Sequence, residues 1–247
     1  MPKDLIIKIK KKTFPLRDKI NNKENIIFKN LELNIKNREF VSIFGPSGCG
    51  KTTLLNMISG LDNNFDGSIT NEKSIKDYTI SYMFQSPRLF PWLTAIENIK
   101  FPIKKQKNCN VIANQLIKNV GLEKFKNQYP NKLSGGMQRR ISLARAFAPD
   151  PEILLLDEPF ISIDKKISNL LKKLLMKLWK KNKPMIIFVT HDLDEAIELA
   201  DRIFFLSNLP SKVLLDHKIN LKRPRNNKGK QFVNLKRLLS STTNQGK

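Results

Sequence analysis

A glycine-rich loop between an apolar run and an amphipathic run is the feature that most constrains the fold. The loop extends from Gly45 to Thr52 with the spacing G-x-x-x-x-G-K-[ST]. The nearly all-apolar run Phe40 to Phe44 precedes it and predicts a strand buried on both faces. Apolar residues at helical spacing follow it up to Gly60, a residue type that commonly ends helices. The order of strand, loop and helix predicts an α/β P-loop NTPase fold.

The residue types of the loop match the chemistry of phosphate binding. Glycines let successive backbone N–H groups turn toward phosphate oxygens at the start of a helix. Lys51 is predicted to neutralise the β- and γ-phosphates, and Thr52 to offer its hydroxyl to Mg²⁺. The predicted nucleotide-binding residues of the loop are Gly45, Pro46, Ser47, Gly48, Cys49, Gly50, Lys51, Thr52 and Thr53.

A second acidic element complements the loop. Four apolar residues, Ile153 to Leu156, end in Asp157-Glu158-Pro159. Open α/β sheets place ligand chemistry at the carboxyl ends of their strands. Asp157 is therefore predicted to hold Mg²⁺ through its water shell, and Glu158 to polarise the attacking water as a general base. An acidic pair after a strand is common by itself, so this prediction depends on the loop.

The rest of the chain predicts the domain organisation. Short β-like runs between 5 and 44 predict an N-terminal antiparallel region, and later apolar runs separated by helical patterns predict a parallel sheet. Between about 86 and 148 the pattern is helical without strands, which predicts a helical subdomain inserted in the core. We therefore expect one ATPase domain over 1–215. Residues 216–247 are rich in Lys and Arg and predict a mobile basic tail.

Composition bounds the location and the partners of the chain. The 247 residues contain no apolar run near the roughly 20 needed to cross a bilayer, and the first residues lack a signal-peptide pattern, so we expect a cytoplasmic protein. Its two cysteines suggest neither a disulfide framework nor a metal site. The net charge of +23 is compatible with nucleic acid, anionic lipid or simple solubility.

The segment Leu133-Ser134-Gly135-Gly136-Met137-Gln138 resembles the L-S-G-G-Q signature of ABC ATPases and departs from it at Met137. It lies between the loop and Asp157, as in that family. The resemblance implies an ATP-hydrolysing protein that forms a head-to-tail homodimer around two ATP molecules. Ser134, Gly135 and Gly136 would then contact the nucleotide of the opposite copy. Free amides at a helix start suit this contact with phosphate.

Other positions match the same family one by one. Gln85 resembles the Q-loop glutamine, which senses Mg²⁺ and the attacking water. Asp164 resembles the D-loop aspartate that communicates across the dimer. His191 resembles the switch histidine that contacts the γ-phosphate. Phe14 is the predicted adenine-stacking aromatic, with Phe28 as the alternative.

The stretch from Phe84 to Ile99 resembles the segment F-Q-x-P-R-L-x-P-W-x-T-x-x-E-N-V of ATPases in nitrate, sulfonate and taurine importers. The resemblance implies a groove that receives a cytoplasmic helix of a membrane permease. Aromatic and aliphatic residues with one charge suit such a protein contact. The predicted docking residues are Arg88, Leu89, Phe90, Pro91 and Trp92.

The resemblance to importers places the chain at the cytoplasmic face of the cell membrane, with a periplasmic solute-binding protein as an indirect partner. Two alternatives stay open. The first is a soluble ABC ATPase acting on nucleic acid, which the charge of +23 favours. ABC ATPases that act on nucleic acid usually carry paired ATPase domains, long coiled coils or cysteine-rich zinc insertions. None of these features is recognisable in this sequence, so we expect no nucleic acid partner. The second alternative is the ATPase of an exporter.

Overall fold

The computed structural model describes residues 4–15, 24–70, 75 and 78–244. The chain divides into two compact units, and each is described by itself. The first unit comprises Met1–Asp77 and Met185–Lys247, and the second comprises Tyr78–Pro184. The strands are β1 Leu5–Pro15, β2 Glu24–Ile35, β3 Phe40–Phe44, β4 Asp66–Thr70, β5 Ile80–Met83, β6 Ile153–Asp157, β7 Met185–Thr190, β8 Arg202–Leu206 and β9 Val213–Lys218.

Helices and strands alternate along most of the chain. The helices are α1 Lys51–Ile58, α2 Ala95–Lys100, α3 Cys109–Asn119, α4 Gly135–Phe147, α5 Lys165–Asn182, α6 Leu193–Leu199 and α7 Lys230–Asn244. Within the described part of the chain, no helix combines the length and the apolar character that crossing a membrane requires.

An antiparallel sheet forms one layer of the first unit. Strand β1 pairs with β2 on one side and with β4 on the other, both antiparallel. Leu5, Ile7 and Ile9 are buried and alternate with exposed residues, because successive side chains of a strand point to opposite faces. The buried ammonium of Lys12 lies 2.7 Å from the Asp62 carboxylate, which ties β1 to the segment after α1. The predicted antiparallel region is confirmed.

The second layer of the first unit is a mainly parallel sheet. Strand β3 pairs in parallel with β7 on one side and with β8 on the other, and β9 adds antiparallel to β8. All six residues of β7 are buried, as expected of a strand covered on both faces. Phe44, the last residue of β3, is paired with Thr190, the last residue of β7. The segments that follow these two strands therefore start side by side.

The second unit combines two parallel strands with the helical region. Strand β5 pairs with β6, ending at Met83 beside Leu156. Helices α2, α3 and α4 lie within the predicted helical stretch, and Thr94 and Glu97 form a capping box at the start of α2. The compact unit is wider than the predicted 86–148, because β5, β6 and α5 belong to it as well. The predicted subdomain boundaries stay a prediction.

The C-terminal residues include a helix where the sequence predicts a mobile tail. Strand β9 extends to Lys218, and helix α7 buries Phe232 and Leu239, two apolar residues seven positions apart on one helical face. The Lys236 ammonium lies 2.7 Å from the Asp194 carboxylate of α6. A narrow apolar stripe thus lies within a stretch rich in Lys, Asn and Ser, and the mobility of this tail stays a prediction.

Arg225 anchors the same segment to the end of α6. Its guanidinium donates to the Ile197 carbonyl over 2.6 Å and also to the Ala200 carbonyl. Burial, and then the neighbouring Arg223, lower the pKa of Arg225 to about 10. Cations at a helix C-terminus interact favourably with its dipole and satisfy its last carbonyls.

Phe232→Ala is expected to lower the free energy of unfolding by about 3 kcal/mol, because it removes a buried aromatic side chain and leaves a cavity. Urea titration of the full chain measures the change. Val233→Ala is the matched control, since Val233 is the next residue along α7 and is exposed. Equal stability of both variants and the wild type would support the mobile tail instead.

Candidate active site

The glycine-rich loop lies between the buried strand β3 and helix α1, as the sequence predicts. Gly48 and Gly50 adopt φ values of 80° and 96°, in the left-handed region that glycine enters without steric cost. A Cβ on Gly50 would lie 2.5 Å from an Ile27 methyl carbon and 2.8 Å from the Phe28 ring. Gly50 is therefore required both by its backbone angles and by the close approach of β2.

Lys51 starts α1 with its ammonium folded over the loop. Its side chain is 5% exposed, and Nζ donates to the carbonyls of Gly45 and Pro46 over 3.0 Å and 2.8 Å. Thr52, the next residue, is exposed. The loop thus holds a cation at the amino-terminal end of a helix, which is an arrangement suited to phosphate.

A serine distant in sequence is hydrogen-bonded to the backbone of the loop. Ser211 is fully buried, and its Oγ donates to the Cys49 carbonyl over 2.6 Å. Its backbone N–H donates to the Ile27 carbonyl over 2.8 Å. Cys49 is 2% exposed, and burial raises the pKa of its thiol. The Cys49 side chain therefore packs in the interior beneath the loop. Ser211 supports the loop through its hydrogen bonds, and the sequence analysis does not predict this role.

His191 follows the neighbouring strand. Because Phe44 pairs with Thr190, Gly45 and His191 emerge at adjacent carboxyl ends of the same sheet. The buried Thr190 hydroxyl donates to the Glu195 carboxylate over 2.7 Å and accepts from the Asp192 backbone N–H over 3.0 Å. These bonds fix the start of α6 and place His191 at the strand end where α/β sheets bind ligands.

Asp157 and its surroundings belong to the second unit. Strand β6 is buried throughout, and Asp157 at its end is 4% exposed. The Tyr82 hydroxyl of β5 lies 3.4 Å from the Asp157 carboxylate. Burial, and then the Asp157 charge, raise the pKa of Tyr82, so the phenol stays a proton donor toward this carboxylate. No local sequence pattern indicates this contact of Tyr82.

Glu158 has an unusual backbone for its residue type. Its φ is 44°, within the left-handed region that costs a residue with a Cβ of the order of 1 kcal/mol. The turn after it is closed by a bond from the Ile161 N–H to the Glu158 carbonyl over 3.2 Å. The sharp turn directs the chain away from β6 immediately after Asp157.

The signature-like segment starts helix α4. Ser134 is its N-cap, and its Oγ accepts from the Met137 N–H over 3.3 Å. A Cβ on Gly136 would lie 2.7 Å from Ile167 of α5, so this glycine allows the two helices to approach closely. Asp164 caps α5 by accepting from the Ile167 N–H over 2.9 Å. The described contacts of Ser134 and Asp164 are thus helix caps.

Comparison with known proteins agrees with this geometry. The family described as ABC transporter matches residues 28–161. An uncharacterized ABC transporter ATP-binding protein of Methanocaldococcus jannaschii is 42% identical over 211 residues, which are 83% of this chain and 79% of that protein. The aliphatic sulfonates import ATP-binding protein SsuB of Bacillus subtilis is 41% identical over 229 residues, or 89% and 86% of the two chains.

The chain belongs to the ABC transporter family.

Solved structures support the same assignment. A dimeric post-hydrolysis state of an ATP-binding cassette bound to ADP and Pi matches with a TM-score of 0.73 at 34% identity, covering 88% of this chain and all of that one. A dimeric bacterial ABC transporter cassette matches with a TM-score of 0.76 at 33% identity and 88% coverage. This chain is thus an ABC ATPase with the P-loop fold, and the predictions of fold class, family and ATPase activity are confirmed.

The two candidates for the adenine-stacking residue of this ABC ATPase differ in exposure. Phe28 is fully buried beneath Gly50, so it is part of the core. Phe14, near the end of β1, is 40% exposed, and the Lys12 ammonium lies 4.5 Å from its ring centroid. A cation already at one face leaves the opposite face for a base. Phe14 therefore stays the prediction.

The donor types at the predicted metal positions fit Mg²⁺. Thr52 supplies an exposed hydroxyl, and Asp157 supplies a carboxylate held next to a phenol. Mg²⁺ prefers such oxygen ligands and usually combines one or two of them with substrate phosphates and water. The side-chain amide oxygen of Gln85, an exposed residue, is of the same ligand type.

Gly50→Ala is expected to abolish nucleotide binding and to destabilise the first unit, because the new Cβ meets Ile27 and Phe28 at a left-handed φ. Gly48→Ala is the matched control, since it has a similar φ but no atom within 4 Å of the new Cβ. Calorimetric titration with ATP and thermal unfolding compare the two variants. Equal losses in both would show that φ strain alone matters.

Proposed function

We propose that this ABC ATPase is the ATP-hydrolysing subunit of an importer for a small solute of the sulfonate, taurine or nitrate type. The observation that carries this proposal is an aromatic cleft beside an exposed tryptophan in the segment from Phe84 to Trp92. The relatives with importer names support it at 41% identity in the B. subtilis case. The partner would be a separate permease at the cytoplasmic face of the cell membrane.

The catalytic roles follow from the residue types at the strand ends. Lys51 would neutralise the β- and γ-phosphates, and the loop amides would hold the phosphate chain. Glu158 would accept a proton from the attacking water, and Gln85 and His191 would orient that water and the γ-phosphate. Bound Mg²⁺ would offset the charge that develops on the phosphate oxygens. Thr52 and Asp157 are the residues that would hold it.

Two copies of the chain would enclose two ATP molecules. The solved cassettes that it matches are dimers, which supports this arrangement. Ser134, Gly135 and Gly136 of one copy would contact the γ-phosphate bound by the other, and Asp164 would communicate between the copies. ATP would favour the closed dimer through its greater affinity for that state, and hydrolysis would reopen it.

The proposed docking surface is a cleft of about 450 Å³ within the second unit. Tyr82 and Phe84 stack with ring centroids 4.1 Å apart, and the Arg88 guanidinium lies 3.9 Å from the Phe84 centroid. Phe90 and Phe101 also line the cleft, with ring centroids 4.4 Å apart. Such an aromatic cleft with cationic groups suits a partner helix that carries apolar and acidic side chains.

Side-chain hydrogen bonds from Asn98 and Arg145 hold the loop at this cleft. Asn98 is fully buried, accepts from the Phe90 N–H over 2.8 Å and donates to the carbonyls of Phe90, Leu93 and Thr94. Arg145 of α4 donates to the carbonyls of Pro87 and Arg88, each over 2.8 Å. Trp92 is held on this framework with 69% of its surface exposed. An exposed indole on a loop held in this way is expected at a protein contact.

Glu158→Gln is expected to lower kcat for ATP hydrolysis by about 10²-fold or more, because the variant cannot accept the proton from water. ATP binding is retained, so an ATP-bound dimer should accumulate in size-exclusion chromatography. Glu123→Gln, in the same unit and outside the predicted site, is the control. Full turnover by Glu158→Gln would contradict the assigned role.

Trp92→Ala is expected to reduce retention on membranes that contain the permease, while ATP hydrolysis by the isolated protein is unchanged. Val111→Ala is the matched control, because Val111 is equally exposed, at 69%, and belongs to the same unit. Sedimentation with membrane vesicles measures retention. Equal retention of both variants would argue against docking at this cleft.

A further inference from the structure

Arg139 is a buried cation that holds three backbone carbonyls. It lies on α4, five residues after Ser134, and is 8% exposed. Its Nη1 donates to the Gln85 carbonyl over 3.1 Å and to the Pro159 carbonyl over 3.0 Å. Its Nη2 donates to the Ile161 carbonyl over 2.8 Å. One guanidinium thus joins the signature helix to two other segments of the same unit.

The three acceptors belong to segments that carry proposed hydrolytic residues. The first is the main chain of Gln85 itself. The other two are the carbonyls of Pro159 and Ile161, which belong to the turn after Glu158. In this turn the Ile161 N–H donates to the Glu158 carbonyl over 3.2 Å. Because Glu158 has a left-handed φ of 44°, this turn needs contacts from its surroundings to keep its shape.

The chemistry of Arg139 suits positioning and not charge neutralisation. Its described acceptors are carbonyls, and burial lowers its pKa. A planar guanidinium with five N–H donors can span acceptors from different segments in a fixed geometry, whereas the single ammonium of lysine cannot. An arginine buried at such a cost is expected where its shape is needed.

We propose that Arg139 is a positioning residue for ATP hydrolysis, which fixes Gln85 and the Glu158 turn against the helix that begins at Ser134. This inference rests on the proposed function and adds a residue that it does not include. If Ser134 contacts the nucleotide of a second copy, a resulting displacement of α4 would then be transmitted to Gln85 and Glu158 through the Arg139 side chain. Arg139 itself touches no reacting atom.

The same helix offers a close control. Arg140 is the next residue, and burial lowers its pKa as well. Its described hydrogen bond goes to the Val120 carbonyl over 3.0 Å, away from Gln85 and the Glu158 turn. Arg140→Lys therefore tests the loss of a half-buried guanidinium on α4 without changing a contact to the proposed hydrolytic segments.

The experiment compares Arg139→Lys with Arg140→Lys in the full chain. We expect Arg139→Lys to lower kcat by about 10- to 100-fold with little change in KM for ATP, as loss of alignment does. Arg140→Lys should keep kcat within about threefold of the wild type, because the described hydrogen bond of Arg140 reaches neither Gln85 nor the Glu158 turn. In a Glu158→Gln background, Arg139→Lys should still accumulate the ATP-bound dimer.

The controls separate the two proposals. If Glu158→Gln hydrolyses ATP as fast as the wild type, the proposed function is overturned, regardless of the result for Arg139→Lys. If Glu158→Gln is inactive but Arg139→Lys matches Arg140→Lys, only the role of Arg139 is overturned. A raised KM with unchanged kcat would overturn it too. Should Arg139→Lys fail to fold, Arg139→Gln and Arg140→Gln give the same comparison.

Discussion

Burial of β3 between two parallel strands is the constraint on which the first unit depends. β3 accepts β7 on one side and β8 on the other, so neither edge is available to solvent and the register of Phe44 beside Thr190 is fixed. That register decides where the glycine-rich loop and His191 begin. A one-residue slip would turn buried side chains to the opposite face of each strand. The positions of the loop and of His191 therefore depend on the packing of a mainly apolar core.

Backbone carbonyls accept hydrogen bonds from three cations at the candidate site and the loop beside it. Lys51, Arg139 and Arg145 each donate to two or three carbonyls. The chain has 45 basic and only 22 acidic residues, so paired acids are scarce. A carbonyl carries no net charge, so these bonds orient a cation without neutralising it.

The sequence predicts the candidate site residues whose signal is local and misses the residues that only the fold brings into contact with them. The loop, Asp157 and the signature-like segment are short runs beside an apolar strand or helix. The loop is predicted by its spacing, Asp157 by its strand together with the loop, and the signature-like segment by its resemblance to a family motif. Ser211 lies 162 residues from Cys49, Arg139 lies 54 from Gln85, and Tyr82 lies 75 from Asp157. No periodicity links such partners before tertiary packing joins them. The α7 helix was missed for another reason, because only two fully buried apolar residues identify its inner face.

Helix α4 unites these observations within the second unit. Its first residue follows Ser134, Arg139 reaches Gln85 and the Glu158 turn, and Arg145 reaches the loop at Arg88. Protein interiors are close-packed and transmit displacement. Segments that are bonded to one helix at three places therefore move together with it more easily than separately. A partner that shifts the loop at Arg88 would thus act on the same rigid element that holds Gln85. Coupling between docking and hydrolysis then requires no long chain of contacts, since a single helix of 13 residues reaches all three segments.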